Sequence, residues 1–111
     1  MDSSLSRFLV RPDQTLEEAL AVIEGNGHRS VVVVDERGAV VGTLSDGDAR
    51  KAILEHRLLS IPVERVMNVN FKALEPARRS EAESIFEQEH IFLMPVVDDD
   101  GKLLDVLTAY P

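Results

Sequence analysis

Cysteine and tryptophan are absent from this 111-residue chain, and tyrosine occurs once. Without cysteine there is no disulfide, no thiolate metal site and no cysteine nucleophile, a composition compatible with the reducing cytoplasm, where we place the chain. Basic residues are also scarce: 12 Lys plus Arg stand against 20 Asp plus Glu, a formal net charge of -8. That balance disfavours non-specific attraction to nucleic acid or to an anionic membrane, so any bound phosphate must be held by a local site. No stretch approaches the roughly 18 apolar residues of a membrane span, and the opening Met-Asp-Ser-Ser-Leu-Ser-Arg lacks the apolar centre of a signal peptide. What remains is 44% hydrophobic and 29% charged, enough for one compact core and too little for two conventional domains.

Phe8, Leu9 and Val10 read as a short strand or extended arm, stopped by Arg11-Pro12-Asp13. Thr15-Leu-Glu-Glu18 is a capping-box pattern, and apolar residues at helical spacing then predict a helix over 16–25, ended by Gly25-Asn26-Gly27. The valines at 31–34, the turn residues 35–38 and the apolar stretch 40–44 predict a β-hairpin. A second helix is expected over 46–59, with Ala49, Ala52, Ile53, His56 and Leu59 on one face. Residues 61–67 form a connection or short helix, with Pro62 suited to its first position.

The pattern then restarts. Shifted by 63 residues without a gap, positions 8–48 align with 71–111, and nine of the 41 pairs are identical. Composition alone gives about two or three, so the chain reads as a repeat. The identities include Phe8 with Phe71, Glu18 with Glu81, Asp35 with Asp98, Gly38 with Gly101 and Leu44 with Leu107. The acidic run Asp98-Asp99-Asp100-Gly101 aligns with Asp35-Glu36-Arg37-Gly38 and is read as a solvated hairpin turn. Pro111 aligns with Asp48, so the second copy has nothing to match the second helix. A sheet face without its helix calls for a partner surface or a further C-terminal domain.

The chemistry concentrates at Gly42-Thr-Leu-Ser-Asp-Gly-Asp-Ala-Arg50, where the hairpin ends and the second helix begins. Ser45 stands at the N-cap position and Asp48 three residues on, which is also the pattern of an ordinary capped helix start. Gly42 and Gly47 reduce bulk beside them, leaving room for a ligand near the backbone. A hydroxyl and a carboxylate at a positive helix end suit a ligand carrying sugar hydroxyls and an anion. Arg29 and Arg50 are placed to reach that anion. Thr108 takes the Ser45 position in the second copy, but Gly42 is replaced by Asp105 and Asp48 by Pro111, so the copies are not equivalent sites. Asp46 and Asp48 can alternatively be read as a Mg²⁺ pair in a phosphotransfer enzyme. His28, His56 and His90 have no metal-binding spacing and no catalytic triad can be assembled, so no metal site and no catalytic residue is assigned. Met67, Met94 and Phe71 are core candidates, or else an apolar wall for a purine.

The doubled unit, Met94-Pro-Val-Val-Asp98 and the Gly42, Ser45, Asp48 signature together resemble a tandem pair of cystathionine β-synthase (CBS) domains. The resemblance implies an α+β fold of two β-α-β-β-α units, residues 1–62 and 63–111, packed as a pseudo-symmetric pair with the second lacking its final helix. It implies a non-enzymatic regulatory module that binds an adenosine-containing ligand such as AMP, ADP, ATP or S-adenosylmethionine, with no resident cofactor. Asp48 would take the ribose hydroxyls, Ser45 the phosphate or ribose edge, and residues around Val31 the base, with Asp46 beside them. The string from Gly42 to Arg50 is similar to CBS pairs attached to sugar-phosphate nucleotidyltransferases and isomerases, so a catalytic domain is expected outside this chain. Two alternatives stand beside the sensor: a ligand-free homodimerisation module, in which Ser45 and Asp48 only cap a helix, and the Mg²⁺ enzyme.

Overall fold

Four consecutive valines with no polar residue among them need apolar cover on both faces of their strand. The structure, a computed structural model that describes residues 3 to 110, supplies it from two directions. A 3-10 turn (Ser3–Phe8) leads into strand β1 (Leu9–Val10), helix α1 (Leu16–Asn26), strands β2 (Ser30–Val34) and β3 (Val40–Ser45), and helix α2 (Asp46–Leu54). After a 3-10 turn at Val63–Arg65 comes the second copy: a 3-10 turn (Pro76–Glu81), helix α3 (Ala82–Glu89) and strands β4 (Leu93–Val97) and β5 (Leu103–Thr108). β2 is central in the first sheet, parallel to β1 and antiparallel to β3, while β4 and β5 form an antiparallel pair. Val31 and Val33 face α1 and α2, packed with Leu16, Ala19, Ile23, Leu44, Ala49 and Ala52. Val32 and Val34 face the second copy, packed with Phe8, Leu93, Leu103 and Val106.

The two hairpin turns are built alike. The Asp35 carboxylate accepts from the amides of Arg37 and Ala39, and that of Asp98 accepts from Asp100 and Lys102. Gly38 (φ 84°) and Gly101 (φ 81°) then take the left-handed conformation that closes each turn, which glycine adopts without steric cost. The turns pair with each other reciprocally: Val40 N–H donates to the Gly101 carbonyl and Leu103 N–H to the Gly38 carbonyl, both at 2.9 Å. Because 40 matches 103 and 38 matches 101 in the repeat, these bonds mark a local pseudo-twofold axis. Asp99 and Asp100 are exposed, as the reading of this acidic run as a turn requires.

The mixed α+β architecture of two repeated units follows the expectation, with three local differences. First, the repeat slips by one residue at the opening strand. Val10 pairs with Val33, but Leu74, not Ala73, pairs with Val96, so the Phe8–Phe71 identity is not a structural equivalence. Second, α2 stops at Leu54, five residues short of the expected end. The residues beyond it serve α1 instead, because the carbonyls of Leu59 and Ile61 accept from the amides of Glu17 and Leu16, at 3.0 and 2.8 Å, and so satisfy the exposed donors at its start. Leu59 and Ile53 are consequently exposed rather than packed on a helical stripe. Third, α3 begins as a 3-10 turn, since Arg78 replaces the Thr15 cap and pairs with Glu81 through two 2.7 Å bonds. Among the described residues no helix follows β5, and Pro111 lies outside them. No helix of the described residues is long and apolar enough to cross a membrane.

Glu18 completes the capping box of α1: its carboxylate accepts from Thr15 N–H, and Thr15 Oγ1 accepts from Glu18 N–H, each at 3.1 Å. The Thr15 amide, followed by the Gln14 side chain, holds the Glu18 carboxyl below its ordinary pKa. A folded-state value below the unfolded one contributes stability that is present at neutral pH and is lost as pH falls through the folded value. Denaturant unfolding of Glu18→Ala against the parent chain should therefore show a deficit at pH 7 that closes in acid; a pH-independent deficit would contradict the role of the ionised carboxylate.

Candidate functional site

β3 delivers Ser45 to the first turn of α2, where the hydroxyl and the Asp48 carboxylate cap each other. Ser45 Oγ accepts from Asp48 N–H and Asp48 Oδ2 accepts from Ser45 N–H, both at 3.0 Å. Asp46 N–H donates to the Arg29 carbonyl at 2.8 Å. The helix start is thus partly satisfied from within, and among the described residues the Gly47 amide, the Ser45 hydroxyl proton and Asp48 Oδ1 are left without a hydrogen-bond partner there. Asp46 and Asp48 have different partners: Asp46 lies 4.0 Å from Arg50 and Asp48 turns to Ser45. Among the described residues no group of three or more His, Asp or Glu is arranged to hold a metal ion.

Arg29, in the left-handed conformation at φ 63°, projects its guanidinium 5.1 Å from the centre of the Phe92 ring. Phe92 occupies the Arg29 position of the second repeat and stacks in turn on Tyr110, with ring centres 6.1 Å apart. Ala109 N–H donates to the Phe92 carbonyl as Asp46 N–H does to that of Arg29, so the two copies meet here through equivalent residues. Arg29, Asp46 and Arg50 therefore lie around the side of the α2 start that faces the second copy. Val31 is fully buried among the helix-side core residues, so its side chain is a packing element rather than an open wall. Thr108 does not border the Asp48 pocket; its hydroxyl donates to the Tyr110 carbonyl at 2.6 Å, and it lines the cleft that Phe92 and Tyr110 also line.

Asp48 also borders a pocket of about 290 Å³ between α2 and the segment after it. Ala52, Val66 and Met67 give this pocket apolar surface, while Lys51, Arg57, Arg65 and Asn68 give it polar groups, with Glu55 on the same helix face. None of Lys51, Arg57 and Arg65 has a carboxylate within ion-pair distance among the described residues. Asp48, Lys51, Ala52 and Glu55 follow the i, i+3, i+4, i+7 rule, so that wall is readable in the sequence. Arg57 and Arg65 are not: Arg57 is turned back because His56 adopts φ 66°, letting Arg57 N–H reach the Ala52 carbonyl at 3.0 Å in a Schellman-type ending. Arg65 comes from the 3-10 turn.

Gly42 has a specific reason that is not a ligand. Asn68 pairs with Thr43 through both main-chain bonds, and a Cβ at Gly42 would lie 2.6 Å from Met67 Sδ and 3.1 Å from the Asn68 carbonyl. The absent side chain admits the linker that forms one wall of the Asp48 pocket.

The CBS domain family model matches residues 6–55 and 63–110, and the chain belongs to that family. It is 33% identical over 101 residues to the inosine-5'-monophosphate dehydrogenase of Aquifex aeolicus, covering 89% of this chain and 20% of that protein. It is 32% identical over 87 residues to the arabinose 5-phosphate isomerase GutQ of Escherichia coli K12, covering 78% and 27%. The chain thus spans less than a third of either relative. Among solved structures, the CBS domain pair of protein MJ0100 in complex with 5-methylthioadenosine and S-adenosyl-L-methionine superposes with a TM-score of 0.77 at 21% identity, covering 92% of this chain and 84% of that one. The CBS domain protein PAE2072 of Pyrobaculum aerophilum, complexed with AMP, gives 0.74 at 19%, covering 90% and 78%. At these identities the likeness is one of fold.

Replacing Gly42 by valine should displace the linker and lower stability by about 1–3 kcal/mol, as overpacking does elsewhere. Denaturant unfolding checks this; an unchanged midpoint would mean that the linker does not depend on the close approach.

Proposed function

We propose that the chain is a non-enzymatic regulatory module that senses an adenosine-containing ligand and biases the activity of an attached or partner domain. The observation that carries this reading is the free half of Asp48: one carboxylate oxygen caps α2, and the residue also borders a mainly polar pocket to which Ala52, Val66 and Met67 add a small apolar part. A carboxylate can accept from both vicinal hydroxyls of a ribose. Ala52, Val66 and Met67 supply the small apolar part of a mainly polar lining, where a base would lie, and Arg29 and Arg50 flank the α2 start outside that pocket, where a phosphate would lie. The ligands named for MJ0100 and PAE2072, S-adenosyl-L-methionine, 5-methylthioadenosine and AMP, support the adenosine class.

Regulation requires a ligand that binds two states differently. Arg29 supplies a route, because its guanidinium rests on Phe92 of the second copy. A phosphate drawing on Arg29 would weaken that contact and shift the packing of the repeats. The regulated domain we propose is of the sugar-phosphate isomerase or nucleotidyltransferase kind; the similarity to GutQ supports the isomerase half of that reading. Ile53, Leu54, Leu58 and Leu59 are all exposed around the end of α2, and two copies of the chain would associate there as a homodimer.

Calorimetry with adenosine, AMP, ATP and S-adenosylmethionine tests the assignment. Asp48→Asn retains an acceptor for the cap and removes the charge, and it should weaken every member by about tenfold to a hundredfold. Arg29→Ala and Arg50→Ala should weaken only phosphorylated ligands. If none of the four binds at millimolar concentration, the module is a structural dimerisation unit; loss confined to Lys51→Ala and Arg57→Ala would move the phosphate to the pocket rim.

A further inference from the structure

Neither the fold nor the proposed ribose contact uses the carboxylate of Glu55. The residue follows the last turn of α2, and its N–H still donates to the Lys51 carbonyl at 3.0 Å, so its Cα keeps the register that begins at Asp46. In that register Asp48, Ala52 and Glu55 stand at i, i+4 and i+7 on one face, and all three line the Asp48 pocket. At the rise of an α-helix the two acidic residues are about 10 Å apart along the axis, with the small Ala52 side chain between them. Carboxylates leaning in from the two ends span a gap of nucleoside length.

Charges of both signs meet in this pocket without neutralising one another. Lys51, one turn before Glu55, and Arg57, two residues after it, border the same space, as does Arg65, yet among the described residues none of them lies within ion-pair distance of Glu55. Asn68 is also in the lining; its Oδ1 accepts from the Asn70 amide at 2.9 Å, which leaves Nδ2 as the donor it can offer. One strong acceptor therefore stands among donors that it does not engage. A group presenting a hydrogen-bond donor next to an acceptor suits such a site. Adenine has that pattern, an exocyclic amine beside a ring nitrogen, whereas guanine presents two acceptors at the same positions.

We propose that Glu55 selects the base: its carboxylate accepts from the exocyclic amine of adenine, while Asn68 Nδ2 or the Arg57 guanidinium donates to the neighbouring ring nitrogen. On the adenosine reading, on which this assignment rests, Asp48 holds the ribose end and Glu55 the amine end, with the ring against Ala52, Val66 and Met67.

Adenosine and purine riboside, which is adenosine without its exocyclic amine, are the direct probes. Both are uncharged, so removing a carboxylate cannot alter their binding through a phosphate. Calorimetry on the intact chain should show purine riboside binding about tenfold more weakly than adenosine. Glu55→Ala should bring adenosine down to the level of purine riboside and leave purine riboside unchanged, whereas Glu55→Gln, which keeps a carbonyl acceptor, should retain part of the preference. The Glu55 side chain is exposed, so these variants keep the fold. Asp48→Asn should weaken both nucleosides equally, which separates the ribose contact from the base contact. Equal affinity of the parent chain for the two nucleosides, or a preference that survives Glu55→Ala, would overturn the role of Glu55 while leaving the adenosine reading in place. No binding of adenosine at millimolar concentration would instead remove that reading, and the role of Glu55 with it.

Discussion

The structure depends on one strand being buried from both sides. β2 presents Val31 and Val33 to the helices and Val32 and Val34 to the other repeat, so a single run of β-branched residues nucleates two cores. The reciprocal bonds between the Gly38 and Gly101 turns fix how the second repeat lies against that strand. Together they make the repeats one unit: the face carrying Val32 and Val34 is covered by Leu93, Leu103 and Val106 of the second copy. They also determine that Arg29 and Phe92, equivalent residues at the mouths of β2 and β4, meet.

The ends of the helices follow from the same demand for main-chain hydrogen bonds. α1 needs acceptors for its first amides, and residues 59 and 61 provide them only because α2 has already ended at Leu54. That early end, through the left-handed His56, also brings Arg57 against Ala52 and opens the pocket beside Asp48. Gly42 then lets the following linker close the pocket from the other side. The pocket is therefore a product of how the chain leaves α2 as much as of the motif that enters it.

Much of this is legible in the sequence, and the rest is hidden for identifiable reasons. The valine run, the Asp-to-Gly turns, the Thr15–Glu18 cap and the doubling all rest on local chemistry, which the residues state directly. The end of α2 is not legible because residues 56–59 keep helical spacing, while the force that breaks the helix is the demand of distant amides on α1. The one-residue slip at Leu74 is masked because Phe71 happens to match Phe8. Ser45 and Asp48 stand out by their spacing, and their mutual cap follows from it. Lys51 can be added from its place one turn after Asp48; Arg57 and Arg65 cannot, since a left-handed residue and a 3-10 turn position them. The resemblance puts the base pocket around Val31, while the alternation with Val32 places the Val31 side chain itself in the helix-side core.

The central claim is that the junction of β3 and α2 is where an adenosine ligand is recognised, and that its contact with the second repeat transmits occupancy. A crystal structure of the chain with AMP tests this most directly. The account predicts a ribose on Asp48, a base against Met67 and a phosphate within reach of Arg29 or Arg50, with Arg29 drawn away from Phe92. A nucleotide lodged only in the cleft between α3 and β5, with Asp48 untouched and Arg29 still on Phe92, would contradict it.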